Sequence, residues 1–364
     1  MSNTNSRVFG LDLLRALAIV LVVIGHTNSW TEAYFDVNVP DGVTLFFVLS
    51  GYLVGTIIIR EFQSSNSFRT LINFWQRRWL RTLPNYYLAL LLNIILIQLG
   101  WLKGVTNIYS SAYFVFMQNF HLPLDFMFWE SWSLAVEEWF YLTLPFLLFG
   151  LLKLLKLSFK NTILIVIMGF VICPLLYRIL HFVPNISNVT WDIWIRKLVL
   201  TRIDSIGFGV LAAYIHFYFP KQWKKNTISL FFIGGSIYTL FYLFIPPKSS
   251  YFMQTFYFSV ISAAIALCIP YLSKINLDGG IQVPITFLSK ISYSMYLIHI
   301  PVLQNFERLL PFNVMKDVLL FYPLYWVVII ICSYLLYRFF ELPTTKLREK
   351  ITSKLSEKSN EKYV

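Results

Sequence analysis

Residues 11–27 read LDLLRALAIVLVVIGHT, an apolar stretch that can cross a bilayer yet carries ionisable side chains. Arg15 lies within it, Asp12 precedes Arg15 by three residues, and His26 stands at its far end. Because a charge inside hydrocarbon is costly, such groups usually face a polar interior and indicate a functional site. The alternative is an Arg15 that snorkels to the surface and a His26 at the headgroup level.

The spacing of these residues favours a functional role. Arg15 and His26 are eleven residues apart, which is about three helical turns, so both lie on one helix face about 16 Å apart along the axis. Asp12 lies one turn before Arg15 and is placed to pair with it.

The composition predicts an all-α membrane protein with several transmembrane helices. The 364 residues are 57% hydrophobic and only 13% charged, which excludes an ordinary soluble domain. The apolar runs are unbroken, whereas barrel strands alternate. The start, MSNTNSRVFG, lacks the pattern of a cleaved signal peptide, so we expect the first span to be retained. The three cysteines have no metal-site spacing, and we expect neither a disulfide nor a bound metal.

Apolar windows predict about ten transmembrane helices. Their approximate limits are 9–29, 42–60, 83–101, 132–151, 161–180, 200–219, 228–246, 251–272, 284–305 and 318–340. The shorter apolar segment 110–120 is expected to be re-entrant or interfacial. Residues 1–345 form one predicted membrane domain, and residues 346–364 form a charged cytoplasmic tail.

Basic residues orient this bundle. They concentrate in the links after the second, fourth and sixth spans and in the tail, which predicts that both termini are cytoplasmic. Arg15 then lies in the inner half of the membrane and His26 towards the outer half. We attribute the net charge of +12 to basic residues that set the membrane topology and contact anionic lipids. We therefore expect no nucleic-acid partner.

Adjacent carboxylates stand in the apolar segment WSLAVEEWFY, at Glu137 and Glu138. Neighbouring helical residues point about 100° apart, so at most one of them faces a cavity shared with His26. An interfacial position near the outer surface is the alternative explanation.

Arginines crowd the segment FWQRRWLRTLP, at Arg77, Arg78 and Arg81. Guanidinium groups match phosphate oxygens, so this segment is a candidate phosphate-binding site. A positive-inside anchor would also explain the charge.

Three further segments carry polar side chains, and candidate substrate-binding residues lie in the first two. In GVTLFFVLSGYLVG, Gly51 and Gly55 favour close helix packing, and Ser50 has no visible adjacent base that would make it a nucleophile. In TRIDSIGFG, the alternative for Arg202 and Asp204 is an ion pair at a helix start.

The third segment is SYSMYLIH, which ends at His299. A lone histidine in an apolar helix is more often a satisfied interior residue than a catalytic one.

Together these segments resemble the acyltransferase-3 family of integral membrane acyltransferases, which includes O-antigen and exopolysaccharide O-acetylases. The matching stretches, from about residue 8 to 345, are LDLLRALAIVLVVIGH, FFVLSGYL, RWLR, WSLAVEEWFY, TRIDSIGFG, SYSMYLIH and FELP. The resemblance implies transfer of an acyl group, commonly acetyl, from acetyl-coenzyme A to a carbohydrate hydroxyl at the cytoplasmic membrane. Acyl-coenzyme A is then a substrate, and no permanently bound cofactor is expected.

The resemblance also implies residue roles. His26, as general base, Arg15 and Glu137 would be catalytic, and coenzyme A phosphates would bind Arg78 and Arg81, with Arg77 beside them. The candidate substrate-binding residues are Glu138, Arg202, Asp204, Ser50 and Tyr52.

The chain departs from the family pattern at one position. Members often carry an acidic residue shortly before the FF pair, where this chain has Thr44. Asp36 or Asp41 in the preceding loop is the expected substitute.

Two rival functions fit parts of the sequence. A transporter or flippase of a lipid-linked glycan or polar solute would also need buried charges and helix-breaking glycines. A membrane scaffold without chemistry would leave Arg15, His26 and Glu137 unexplained. The arginine pair and the histidine are expected on opposite sides of one cavity, which favours an enzyme with two substrates.

Overall fold

The computed structural model describes residues 7–31, 39–122, 127–277, 279–309 and 314–347. Within these ranges the secondary structure is helical, without strands. The helices are α1 (Phe9–His26), α2 (Asn28–Thr31), α3 (Gly42–Ser64), α4 (Phe68–Gln98), α5 (Ser131–Leu154), α6 (Phe159–Leu180), α7 (Asn188–Trp191), α8 (Val199–Tyr218), α9 (Pro220–Lys224), α10 (Thr227–Leu243), α11 (Tyr251–Thr255), α12 (Tyr257–Leu272), α13 (Gln282–Leu309) and α14 (Val314–Leu336).

Several of these helices can cross a membrane, which confirms the predicted all-α multi-pass class. In the described part of the chain, α1, α3, α4, α5, α6 and Leu320–Leu347 are long and apolar enough. A seventh span results if Asn188–Arg196 and α8, bent by 58°, form one broken span. Helices α10 and α12 are apolar but shorter.

Each of the ten predicted windows overlaps a helix. The count of ten spans and the cytoplasmic termini stay predictions. The segment 110–120 contains a 3₁₀ helix, Ile108–Val115. Most of the predicted tail, from residue 348 onwards, lies outside the described residues.

Helix α3 lies at the centre of the bundle because most of its side chains are buried. It packs against α1 and α8, and α1 also packs against α13. Asp41 caps its first turn by accepting a hydrogen bond from the backbone N–H of Val43 at 3.1 Å. Helix α1, which carries Arg15 and His26, is held in place by its packing against α3 and α13.

Glycines bring α3 and α8 into backbone contact, which confirms the predicted packing role of Gly51. A Cβ atom added to Gly51 would lie 2.0 Å from the carbonyl oxygen of Ile206. One added to Gly209 would lie 2.1 Å from the carbonyl oxygen of Val48. Neither helix can tolerate a larger residue here without moving away, because these contacts are with backbone.

We therefore expect Gly51→Ala to destabilise the protein by about 1–3 kcal/mol, the usual cost of overpacking a close contact. Gly169→Ala is the control, since a Cβ at that α6 position meets nothing within 4 Å. Thermal unfolding in detergent measures both. Equal melting temperatures for the two variants would contradict the close α3–α8 contact.

Candidate active site

Charged side chains from four helical segments meet near the middle of α1, and we call them the arginine cluster. Arg15 on α1 interacts electrostatically with Glu137 on α5. Glu137 also interacts with the charges of Arg78 and Arg81 on α4, and Glu341 interacts with Arg81 and Arg15. The charges of Glu137 and Arg78 also act on Glu138. The guanidinium groups of the three arginines are the part of this cluster that suits an anionic ligand.

Hydroxyl groups complete this cluster. The Ser50 and Tyr141 hydroxyls form a short hydrogen bond with each other, and both interact with Glu137. The Arg78 guanidinium carbon lies 4.3 Å from the centre of the Tyr141 ring, a cation–π contact. Arg78 Nε is buried without a hydrogen-bond partner among the described residues. The cluster therefore holds a buried donor that protein groups leave unused.

A histidine pair lies at the far end of α1. His26 Nδ1 is 2.8 Å from the carbonyl oxygen of Val22 and 3.3 Å from Nε2 of His299 on α13. The ring centres are 4.8 Å apart, edge to face. His299 is fully buried. His26, in contrast, has an exposed surface.

Further charges surround the histidine pair. Asp192, Arg196 and Lys197 interact electrostatically with His26. Asp192 accepts hydrogen bonds from Arg196 at 2.8 Å and pairs with Lys197 Nζ at 2.5 Å. Sequence reasoning missed this group, although Asp192 and Arg196 have the i, i+4 spacing of a helical ion pair.

Asp41 joins this group from the start of α3. Its carboxylate accepts a hydrogen bond from the Thr44 hydroxyl at 3.0 Å and pairs with Arg196 at 3.5 Å. Burial alone would raise the pKa of Asp41, but Arg196 and Arg202 lower it below its ordinary range. The Asp41 carboxylate thus lies beside Thr44, as expected if Asp41 substitutes for the family's acidic residue. Asp36 lies outside the described residues.

Comparison with known proteins identifies the family of this chain. The acyltransferase domain family matches residues 8–338, nearly the whole chain. The chain belongs to the acyltransferase-3 family. The predicted resemblance is therefore confirmed.

Curated proteins similar to this chain are named O-acetyltransferases. One is O-acetyltransferase OatA of Staphylococcus aureus strain NCTC 8325, 28% identical over 322 residues, or 81% of this chain and 50% of the relative. Another is a putative O-acetyltransferase of S. aureus strain COL, 26% identical over 318 residues with the same two shares. The chain spans about half the length of these relatives. No solved structure matches it.

Asp12 takes a closer partner than the one predicted from the helical spacing. It pairs with Arg7, with oxygen–nitrogen distances of 2.6 and 2.8 Å, and also accepts a hydrogen bond from Ser289. In the described part of the chain, no hydrogen bond or ion pair joins Asp12 to Arg15, and the two interact only through their charges.

The alternative interpretation of Arg202 and Asp204, an ion pair with each other, is wrong, and their substrate-binding roles stay predictions. Residues two apart on a helix point about 200° from each other. Asp204 instead pairs with Arg178 on α6 at 2.7 Å, with both side chains fully buried. Arg202 faces the other way, hydrogen-bonded to Thr44 at 2.8 Å and stacked 3.5 Å from the centre of the Phe258 ring.

Three other candidate residues take part in contacts away from His26. The Thr82 hydroxyl donates to Glu138 at 2.7 Å, which joins α4 to α5. The Tyr52 hydroxyl lies 2.9 Å from Nδ1 of His216, and Arg77 pairs with Glu61. Their substrate-binding roles stay predictions.

The partner of the His26 ring was also missed. Glu137, which was expected either to orient the imidazole or to bind the acceptor, interacts with the arginines, and His299 lies beside His26. The two histidines are 273 residues apart, so only the packing of α1 against α13 reveals the contact. Among the described residues, no group of three or more potential metal ligands occurs.

We expect Asp204→Asn to destabilise the protein by about 3–5 kcal/mol, because it leaves the buried Arg178 charge uncompensated. Glu61→Gln is the control, since its ion pair with Arg77 is partly exposed and such pairs contribute about 0–1 kcal/mol. Denaturant unfolding of both variants measures the difference. Similar losses would contradict a structural role for the Arg178–Asp204 pair.

Proposed function

We propose that this chain is a membrane O-acetyltransferase that moves an acetyl group from acetyl-coenzyme A to a hydroxyl of a surface or lipid-linked carbohydrate. The donor binds on the cytoplasmic side of the cytoplasmic membrane and the acceptor on the outer side. The names of the O-acetyltransferase relatives support the type of reaction. The donor and acceptor are inferred from the chemistry of the two groups of residues on α1.

The observation that carries this proposal is the position of two different chemistries on one helix. Arg15 joins the arginine cluster, and His26 belongs to the histidine pair. Eleven residues of α1 separate them, about 16 Å along the helix axis. A donor with charged phosphates and a long pantetheine arm fits this separation, because the phosphates and the thioester lie at opposite ends of the molecule.

In this proposal the arginine cluster binds the donor. Arg78 and Arg81 grip coenzyme A phosphates through charge-assisted hydrogen bonds, and the unused Nε of Arg78 supplies one donor. Glu137 lies among the arginines and holds their side chains apart and oriented. Arg15 lies on the helix face that leads to His26, where it directs the arm of the donor.

His26 then performs the proton transfers of the reaction. His26 accepts the proton of the acceptor hydroxyl, and the hydroxyl oxygen attacks the thioester carbon. The carbon–sulfur bond breaks, and the proton passes from His26 to the departing sulfur of coenzyme A. The products are an acetyl ester and free coenzyme A, so no further reactant is needed.

We expect His26→Gln to lower acetyl transfer by about 10²- to 10⁴-fold, the usual contribution of a general base. Coenzyme A release and mass spectrometry of the acetylated acceptor measure the reaction. His181→Gln is the matched control, because His181 ends α6 and has the same 2.8 Å contact between Nδ1 and the carbonyl oxygen four residues earlier. Retained transfer in a folded His26→Gln protein would exclude His26 as the base.

The double variant Arg78→Gln, Arg81→Gln tests the donor site. Each lost charge-assisted bond costs about 1.5–3 kcal/mol, so we expect KM for acetyl-coenzyme A to rise at least tenfold while KM for the acceptor stays similar. Arg69→Gln, which removes one exposed charge from the same helix, should change neither constant. Equal increases in both KM values would contradict a site specific for the donor. Acetyl-coenzyme A that is never consumed by the wild type would instead favour a transporter.

A further inference from the structure

His299 has no role in the mechanism above, yet it is the side chain that contacts the proposed base. It lies on α13 and is fully buried. Its Nδ1 is 2.7 Å from the backbone carbonyl oxygen of Tyr296. Its own carbonyl oxygen accepts a hydrogen bond from the Tyr325 hydroxyl on α14 at 3.3 Å. The Tyr296 contact orients the ring within α13, and the Tyr325 bond joins the backbone at His299 to α14.

These contacts assign the protons of both rings. A carbonyl oxygen only accepts hydrogen bonds, so a ring nitrogen that contacts one must carry the hydrogen. Nδ1 of His299 faces Tyr296, and Nδ1 of His26 faces Val22. In the neutral state each ring then has a hydrogen on Nδ1 and a lone pair on Nε2.

The contact between the rings fits this assignment. Nε2 of His299 lies 3.3 Å from Nδ1 of His26, so a lone pair on His299 meets a hydrogen on His26. The hydrogen is shared between the Val22 carbonyl and His299. Nε2 of His26 is left with its lone pair, the only form in which a neutral imidazole can take a proton at that nitrogen.

We propose that His299 is a positioning residue, which holds His26 in the tautomer and ring orientation that present Nε2 to the acceptor hydroxyl. The role rests on the proposed function of His26. It resembles the general use of a second hydrogen-bonding group to fix a catalytic imidazole, but the group here is a neutral ring. When His26 gains a proton, its Nδ1–H bond to His299 becomes charge-assisted and stabilises the cation.

Two amide variants separate this role from simple packing. The side-chain oxygen of glutamine reaches about as far as the histidine Nε2, so His299→Gln keeps an acceptor for His26. Asparagine places its amide near the position of Nδ1, so His299→Asn can contact Tyr296 but falls short of His26. Both variants put a polar amide in the same buried position, and their thermal unfolding shows whether they fold equally well.

We expect His299→Asn to lower kcat by about 10- to 100-fold, as loss of an orienting partner does at other sites, with KM for acetyl-coenzyme A unchanged. His299→Gln should restore most of the turnover. Wild-type kcat in a folded His299→Asn protein would overturn the proposal, as would equal losses in both variants at equal stability.

A second measurement does not depend on activity. Solid-state ¹⁵N NMR of histidine-labelled protein distinguishes protonated from unprotonated ring nitrogens, and the His26→Gln spectrum assigns His26 among the five histidines. We expect a single Nδ1–H form of His26 in the wild type and a mixture of both forms in His299→Asn. An Nε2–H form in the wild type would overturn the proposal. A wild type that transfers no acetyl group would overturn the proposed function, and the NMR result would still decide the role of His299.

Discussion

A charge inside an apolar bundle must find its partner within the protein, and this constraint organises the structure. The fully buried Arg178 meets it completely. Its guanidinium pairs with Asp204 and donates to the Ser259 hydroxyl and the Thr255 carbonyl, which ties α6 to α8 and to α12. A charge held by an ion pair and by bonds to several helices in this way has a structural role.

The same constraint distinguishes the groups that remain available for chemistry. Arg78 keeps a buried Nε without a partner in the described ranges, and His26 keeps part of its surface exposed. Other contacts fix both side chains. The Tyr141 ring contacts Arg78, and the Val22 carbonyl oxygen and His299 contact His26. Fixed groups with unused hydrogen-bonding capacity are what a binding or catalytic site requires.

Close helix packing makes these positions rigid. The contact of α3 with α8 at Gly51 and Gly209 leaves no space between the two backbones. Ser50, the neighbour of Gly51, is therefore held at a fixed distance from α5 and reaches the Tyr141 hydroxyl. Gly51 thus packs α3 against α8, and the adjacent Ser50 contributes to the arginine cluster.

The sequence by itself determined the membrane class, the helical segments and the common face of Arg15 and His26. Hydropathy and the 3.6-residue period depend only on neighbouring residues. Only the tertiary structure decided the partners: Arg7 for Asp12, Arg178 for Asp204 and His299 for His26. Apart from the first of these, the partners come from different helices, and their contact depends on how the helices pack, which local spacing does not encode. For Asp12 the helical spacing predicted Arg15, and the surrounding packing, with Ser289 from α13, selected Arg7, which precedes α1.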